Sequence, residues 1–410
     1  MKFSKLSQLA LVSVIGLAVA TLLTACQLVS IDYVFVAASS GGSTTSPGQV
    51  YVYAADAFSG AIRTRVTAVD SGGTNPVALA VTSDYYNLYV ANQGNNSVVH
   101  FSVQFSGELT LDDTVTLANA PVSLGVNTSN TYLYAASYNT TGTGTGAAPT
   151  LTEYGLSNGT IGSITSKQTL VVPGYPSDTI VPTAVNVLGS NNAVYVTAVD
   201  ESAYNPGGST TSNANPGWIF GYAVGSNGAL TQLAGSPWQA GVKPSALTSD
   251  PTDRFVYVTD YASNQLIGYS VFSNGVLQFM INGPFKTGNE PTSVAIDPRG
   301  IFMYVTNSLD NTISAYSIAL PSGTPSTVVN STSTAANSTD TDPVSITIES
   351  SLGRYIYTAN RLGNSVSGFL LNPNTGSLTT TLATPYPTGS YPSAILAVPH
   401  GNHATQSVTP

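Results

Sequence analysis

Very few side chains in this sequence can do acid–base or metal chemistry: three histidines, one cysteine and 20 carboxylates in 410 residues. General acid–base catalysis draws most often on histidine and otherwise on Asp or Glu. His100 stands beside Phe101 in an apolar run, at a place held by Gly268, Ala315 and Gly368 in sister segments, and reads as a strand-surface residue. His400 and His403 fall at the C-terminal end, where 401–410 is expected to be a flexible tail. Asp250, Asp297 and Glu349 each follow a proline by six residues and stand at the start of turns such as DPTD and DPRG. Asx side chains stabilise such turns, and a calcium site built from the three would need several further oxygen ligands. No GxSxG elbow, HExxH helix or P-loop occurs. The sequence therefore assigns no catalytic residue, no metal ligand and no cofactor. One cluster remains, at a long insertion over 199–217: Asp200, Glu201, Tyr204 and Trp218. A carboxylate pair beside aromatics suits a sugar, and these four are the expected ligand contacts.

The elements that would position them repeat. A proline opens a short apolar run at Pro76, Pro121, Pro182, Pro244, Pro291, Pro343 and Pro392, with spacings of 45, 61, 62, 47, 52 and 49 residues. Periods of this size mark architectures in which each unit buries its face only against its neighbours. Four runs lead into an aromatic strand and a polar turn, with Asx residues four apart at Asn92/Asn96, Asp260/Asn264, Asn307/Asn311 and Asn360/Asn364. A tyrosine stands three residues before the first Asx (Tyr89, Tyr257, Tyr304, Tyr357) and an aromatic nine after it (Phe101, Tyr269, Tyr316, Phe369). Asx residues tolerate left-handed backbone and suit a hairpin; the aromatics and β-branched residues suit half-buried strands. Each unit reads as four strands: A after the proline, B before the Asx turn, C after it, and D beyond a Gly turn such as SNGALT.

Four antiparallel strands repeated radially make a β-propeller blade. Residues 31–75 begin with a strand B lacking its strand A, while PSAILAVPH at 392–400 is a strand A with no successor. Joined, they complete a seventh blade and leave no sheet edge unpaired. The expected fold is thus all-β, a seven-bladed β-propeller over 31–400 closed by the C-terminal strand. The expected blades are about 31–75 plus 392–398, 76–120, 121–181, 182–243, 244–290, 291–342 and 343–391. Loops grow at 39–48, 137–150 and 199–217 and in the D–A connections near 172–181 and 330–342. All open on one side of the ring, which marks a recognition face on a rigid scaffold.

The N-terminus carries MKFSK and then a long apolar stretch, the pattern of a secretory signal. Leu23-Thr24-Ala25-Cys26 resembles a bacterial lipoprotein cleavage motif, and the only cysteine of the chain falls at its acceptor position. The resemblance implies a signal peptide over 1–25, lipidation of Cys26, a tether over 26–30, and a membrane-anchored protein of the bacterial cell envelope. Gln27 in place of Asp leans towards the outer membrane or cell surface. Losing Lys2 and Lys5 with the leader takes the formal charge from −9 to −11. That acidity, with no basic run, argues against nucleic acid as a partner. A monomer is expected.

The repeats with YVT-[ND] and the tails NGALTQLAGSPWQAGVKP and TGSLTTTLATPYPTGSYP resemble the seven-bladed lactonase family, which includes propeller-type 6-phosphogluconolactonases and YVTN-repeat envelope proteins. The resemblance spans nearly all of 31–400. Lactonases of this family carry a histidine after a middle strand-A anchor and a Gly-Pro-Arg-His type motif at a later one. The corresponding stretches here, VPTAVNVLGSNN and GNEPTSVAIDPRG, lack the histidine, and Arg299 and Arg354 lie in turns on the opposite face. With few carboxylates expected at the loop-rich mouth, the sequence favours a lipid-anchored binding or interaction module. Its partner would be a protein, glycan or small molecule at the loop-rich face. A lactonase-type hydrolase of a sugar lactone is the alternative, and an acid–base pair converging at that mouth is the feature that would separate the two.

Overall fold

The computed structural model describes residues 30–40, 45–139, 148–204, 215–328 and 337–408. The expected leader, Cys26 and the central parts of the long insertions lie outside them. Seven antiparallel sheets form the blades. Blade 2, for example, runs Pro76–Val81, Asn87–Asn92, Ser97–Val103 and Leu109–Thr116 from inside to outside. Each strand A touches the strand A of the next blade, all the way round, so the sheets close into a ring. The closing blade pairs Pro392–Pro399 with Ser30–Ser39 in seven register pairs, from Asp32↔Pro399 to Ala38↔Pro392. The seven-bladed β-propeller closed by the C-terminal strand is therefore what this sequence forms.

Strand D departs from the expected single run in three blades. It splits into Leu230–Gln232 and Trp238–Gln239, Leu277–Phe279 and Phe285–Lys286, and Leu378–Thr380 and Tyr386–Pro387. Pro237, Pro284 and Pro385 stand between the halves, and a proline cannot donate to the ladder.

Apolar side chains gather at the seams between blades rather than at the axis. Among the described residues each of the seven seams has its own core cluster. The repeated tyrosine stitches these seams. Its hydroxyl donates to the carbonyl of a left-handed glycine in the next blade's C–D turn: Tyr89 to Gly159 at 2.6 Å, Tyr195 to Gly275 at 2.6 Å, Tyr304 to Gly376 at 2.8 Å and Tyr357 to Gly60 at 2.8 Å. Tyr257 does the same with Gly323. The glycine is required twice over. At Gly60 φ is +65°, and an added Cβ would lie 2.3 Å from the Tyr355 ring.

The paired Asx residues have distinct tasks. The first clasps the segment that leads into its own strand A: Asp260 accepts the N–H groups of Val242 and Lys243, each at 2.9 Å. The second, left-handed, reaches the segment that leads into the next strand A. Asn264, Asn311 and Asn364 accept from the N–H of Glu290, Asp342 and Tyr391 at 2.8, 2.8 and 2.9 Å. Each acceptor thus holds the residue preceding the next strand-A proline. The hydroxyl after that proline closes a further ring, Ser245 to the Pro291 carbonyl and Thr292 to that of Pro343, both at 2.7 Å.

Two histidines differ from expectation. His100 is buried, because the blade-3 turn at Gly159 packs over it; it stacks on Tyr89 at 5.1 Å and bonds Asn87 Oδ1 at 3.0 Å. The C-terminal end does not begin as a free tail: Gly401–Thr405 winds into a 3₁₀ turn that buries His403.

Candidate active site at the loop-rich mouth

Strand A begins at the loop-rich face, so the residue before its proline stands at the rim of the central channel. In the seven blades these residues are Asn75, Ala120, Val181, Lys243, Glu290, Asp342 and Tyr391. Four of them, Asn75, Glu290, Asp342 and Tyr391, have φ between +50° and +62°, a conformation that re-aims a side chain out of the strand line. The first residue beyond strand B then bonds back to four of the seven. Gln93 N–H reaches the Asn75 carbonyl at 3.0 Å, Tyr261 that of Lys243 at 2.9 Å, Ser308 that of Glu290 at 2.9 Å and Arg361 that of Asp342 at 2.8 Å. In these four blades two residues therefore stand at the mouth on rigid backbone.

On blades 5 to 7 these pairs carry the chemistry. Lys243 Nζ lies 4.8 Å from the centroid of the Tyr204 ring and 5.8 Å from that of Tyr261, within cation–π range. The Tyr261 hydroxyl lies within the electrostatic reach of the Glu290 carboxylate. Burial first, then the neighbouring Glu290 carboxylate, push the Tyr261 hydroxyl up to about 12, so it stays protonated at neutral pH. Glu290 Oε2 also receives the Ser308 hydroxyl at 3.4 Å. Beside it, Arg361 Nε donates to Asp342 Oδ2 at 2.8 Å. A carboxylate, a protonated phenol and two cations thus gather where the sequence left few carboxylates and no arginine.

The four residues singled out from the sequence separate. Asp200 is buried, and its Oδ1 accepts the N–H groups of Ser202 at 3.0 Å and Ala203 at 3.2 Å. It caps its own turn, as Asp56 does for Phe58 and Ser59, whereas Asp260 reaches Val242 and Lys243. Its carboxyl is raised above the usual range by burial and next by a hydrogen bond with Asp178. Glu201 is exposed, while Tyr204 is half-buried against Lys243. Trp218 instead turns into the seam between blades 3 and 4, packed on the cluster of Tyr134, Leu151 and Phe220. Asp200, Glu201 and Tyr204 thus share one turn at the mouth, and Trp218 lies apart from it.

Asp250, Asp297 and Glu349 are turn formers in three separate blades. Asp250 Oδ1 accepts from Arg254 and Phe255 N–H at 2.6 and 2.7 Å, and Asp297 Oδ1 from Ile301 and Phe302 at 3.0 and 2.8 Å. Glu349 does the same for Leu352 at 2.7 Å and Arg354 at 3.1 Å. Arg254 and Arg299 bind the carboxylates of their own turns.

A family profile described as a seven-bladed β-propeller lactonase matches residues 37–157 and 239–403. The chain belongs to that family. The match includes Lys243, Tyr261, Glu290, Asp342 and Arg361 and omits the stretch that holds Asp178, Asp200, Glu201 and Tyr204. Among solved structures, the periplasmic gluconolactonase of Pseudomonas aeruginosa superimposes with a TM-score of 0.71 at 18% identity, covering 90% of this chain and 99% of its own. A Bacteroides uniformis protein provisionally described as a 6-phosphogluconolactonase gives 0.70 at 18%, covering 90% and 100%. Its Bacteroides fragilis counterpart, described likewise, gives 0.70 at 17%, covering 91% and 99%. At these identities the likeness is one of fold. No curated protein matches the sequence. Family membership favours the lactonase alternative over the binding module.

Proposed function

We propose that the protein is a lactonase that opens an unphosphorylated sugar lactone at the loop-rich mouth. The observation that carries this reading is the convergence of Glu290, Tyr261 and Lys243 on adjacent rim positions. Lactone hydrolysis needs a base to take a proton from water as it attacks the carbonyl, and a positive or hydrogen-bonding group for the oxyanion. Glu290 is the base. Lys243, held between two aromatic faces, and the protonated Tyr261 supply the charge and the donor. Arg361, fixed by Asp342, stands where substrate hydroxyls or a product carboxylate would lie. The ring oxygen leaves as an alkoxide and takes a proton, giving the open hydroxy acid.

Charge sets the substrate class. Around Lys243 and Arg361 stand Asp178, Asp200, Glu201, Glu290 and Asp342, a field that repels a phosphate dianion. A neutral lactone with several hydroxyls fits better than its phosphorylated form. Purified protein in a pH-stat should hydrolyse an unphosphorylated sugar δ-lactone saturably, with a kcat/KM above that for the 6-phosphate. No hydrolysis of either above the spontaneous rate would sink the proposal.

We further propose that the enzyme works in the bacterial envelope, tethered through Cys26. The lipoprotein-like motif supports this, as does the periplasmic location named for the Pseudomonas aeruginosa gluconolactonase. Replacing Cys26 with Ser should move the protein from the detergent phase to the aqueous phase; unchanged partitioning would rule the lipid anchor out.

A further inference from the structure

On the opposite face, where strand A ends, three buried side chains from distant parts of the chain meet. Asp32 lies near the start of strand B of blade 1, Glu349 directly follows strand A of blade 7, and His403 sits in the C-terminal 3₁₀ turn. They offer ligand atoms that all lie within 4.8 Å of one another. His403 Nδ1 is 2.8 Å from Asp32 Oδ1, while its Nε2 is 3.6 Å from Glu349 Oε1. Asp32 and Glu349 are fully buried, and Asp32 Oδ2 has no hydrogen-bond partner among the described residues.

A buried carboxylate oxygen without a partner is costly, and two buried carboxylates side by side need positive charge between them. Either a protonated His403, which faces both carboxylates, or a bound cation supplies that charge, and Arg354 is an exposed residue. The 3.6 Å separation of Nε2 and Oε1 is too long for a hydrogen bond. It does suit two ligands on one ion, since Zn–N and Zn–O bonds of about 2.0–2.2 Å at a near-tetrahedral angle set their donors roughly 3.4 Å apart. Glu349 is already oriented by the backbone N–H groups of Leu352 and Arg354, the outer-shell support that metal ligands usually have.

We propose that Asp32, Glu349 and His403 form a structural Zn²⁺ site that ties the C-terminal turn to the seam where the first and last blades join. One imidazole and two carboxylates are a borderline donor set in which imidazole suits zinc. Calcium would need six to eight oxygens, and three donors fall short of that. The burial gives no room for substrate, so the ion's effect is on closure of the ring.

The test uses the full chain stripped with a chelator and titrated with Zn²⁺, Ca²⁺ or Mg²⁺. Calorimetry should show one Zn²⁺ per chain, with a rise in melting temperature that Ca²⁺ and Mg²⁺ do not reproduce. His403→Ala should lose both the stoichiometric binding and the rise. Because that variant could loosen the turn, circular dichroism of the metal-free forms accompanies it, and the wild-type stoichiometry stands as an independent readout. Absence of wild-type zinc binding, an unchanged zinc response in His403→Ala, or a larger effect of Ca²⁺ would each overturn the proposal.

Discussion

Removing the C-terminal strand by ending the chain at Tyr391 should abolish the cooperative fold rather than trim it. Strand Pro392–Pro399 is the inner strand of blade 1, with seven register pairs to the strand that begins the domain. Its Ile395 and Val398 are 5% and 2% exposed and belong to two different seams, those to blades 7 and 2. Full burial of such side chains contributes about 1.5–3 kcal/mol each, so these two alone supply roughly 3–6 kcal/mol. Each lost ladder bond adds about 0.5–1.5 kcal/mol, and the ring opens at both of that strand's neighbours. The whole fold is worth only about 5–15 kcal/mol, so the loss is of the same size as the stability itself. Urea unfolding followed by intrinsic fluorescence measures it directly. The truncated chain should show no cooperative transition and should aggregate. Ile395→Ala in the intact chain should unfold cooperatively with a loss of about 2–5 kcal/mol. A truncated protein with the wild-type midpoint would refute closure by this strand.

Two further outcomes follow from named contacts. Tyr357→Phe leaves the Gly60 carbonyl without its 2.8 Å partner and should cost about 1–3 kcal/mol in urea unfolding, whereas Tyr86→Phe, at a side chain 63% exposed, should cost nothing measurable; equal effects would mean the seam hydroxyls do not hold the blades. Asp200→Asn keeps the turn cap and removes a carboxyl whose pKa is raised by burial and Asp178. A raised carboxyl favours folding while protonated, and that contribution is lost as pH climbs from about 4 through the raised value. The variant should therefore match wild type at acid pH and equal or exceed it at pH 7, and a loss of stability confined to pH 7 would contradict this reading.

The scaffold was legible because its physics repeats. A proline that starts strand A, a tyrosine that reaches the next blade and an Asn that holds the next proline's neighbour recur with the period, so Tyr257, Asn264 and Pro291 announce one another. The mouth was not legible for the opposite reason. Its positions are structurally equivalent, yet their residue types differ: Asn75, Lys243, Glu290, Asp342 and Tyr391. Aligning the blades on their prolines and reading the preceding residue would have found them. Instead the compact motif at Asp200 and Glu201 drew attention to one insertion, where Asp200 caps its own turn. The His403–Asp32 contact joins residues 371 apart, and no local pattern marks it.

The central claim is that Glu290 activates water at the mouth. Glu290→Gln keeps the size of the side chain and an oxygen for Ser308 but cannot accept the proton. In a pH-stat with an unphosphorylated sugar δ-lactone, kcat/KM should fall by about 10²–10⁴-fold, with the urea midpoint unchanged. Hydrolysis by Glu290→Gln at the wild-type rate would contradict the account.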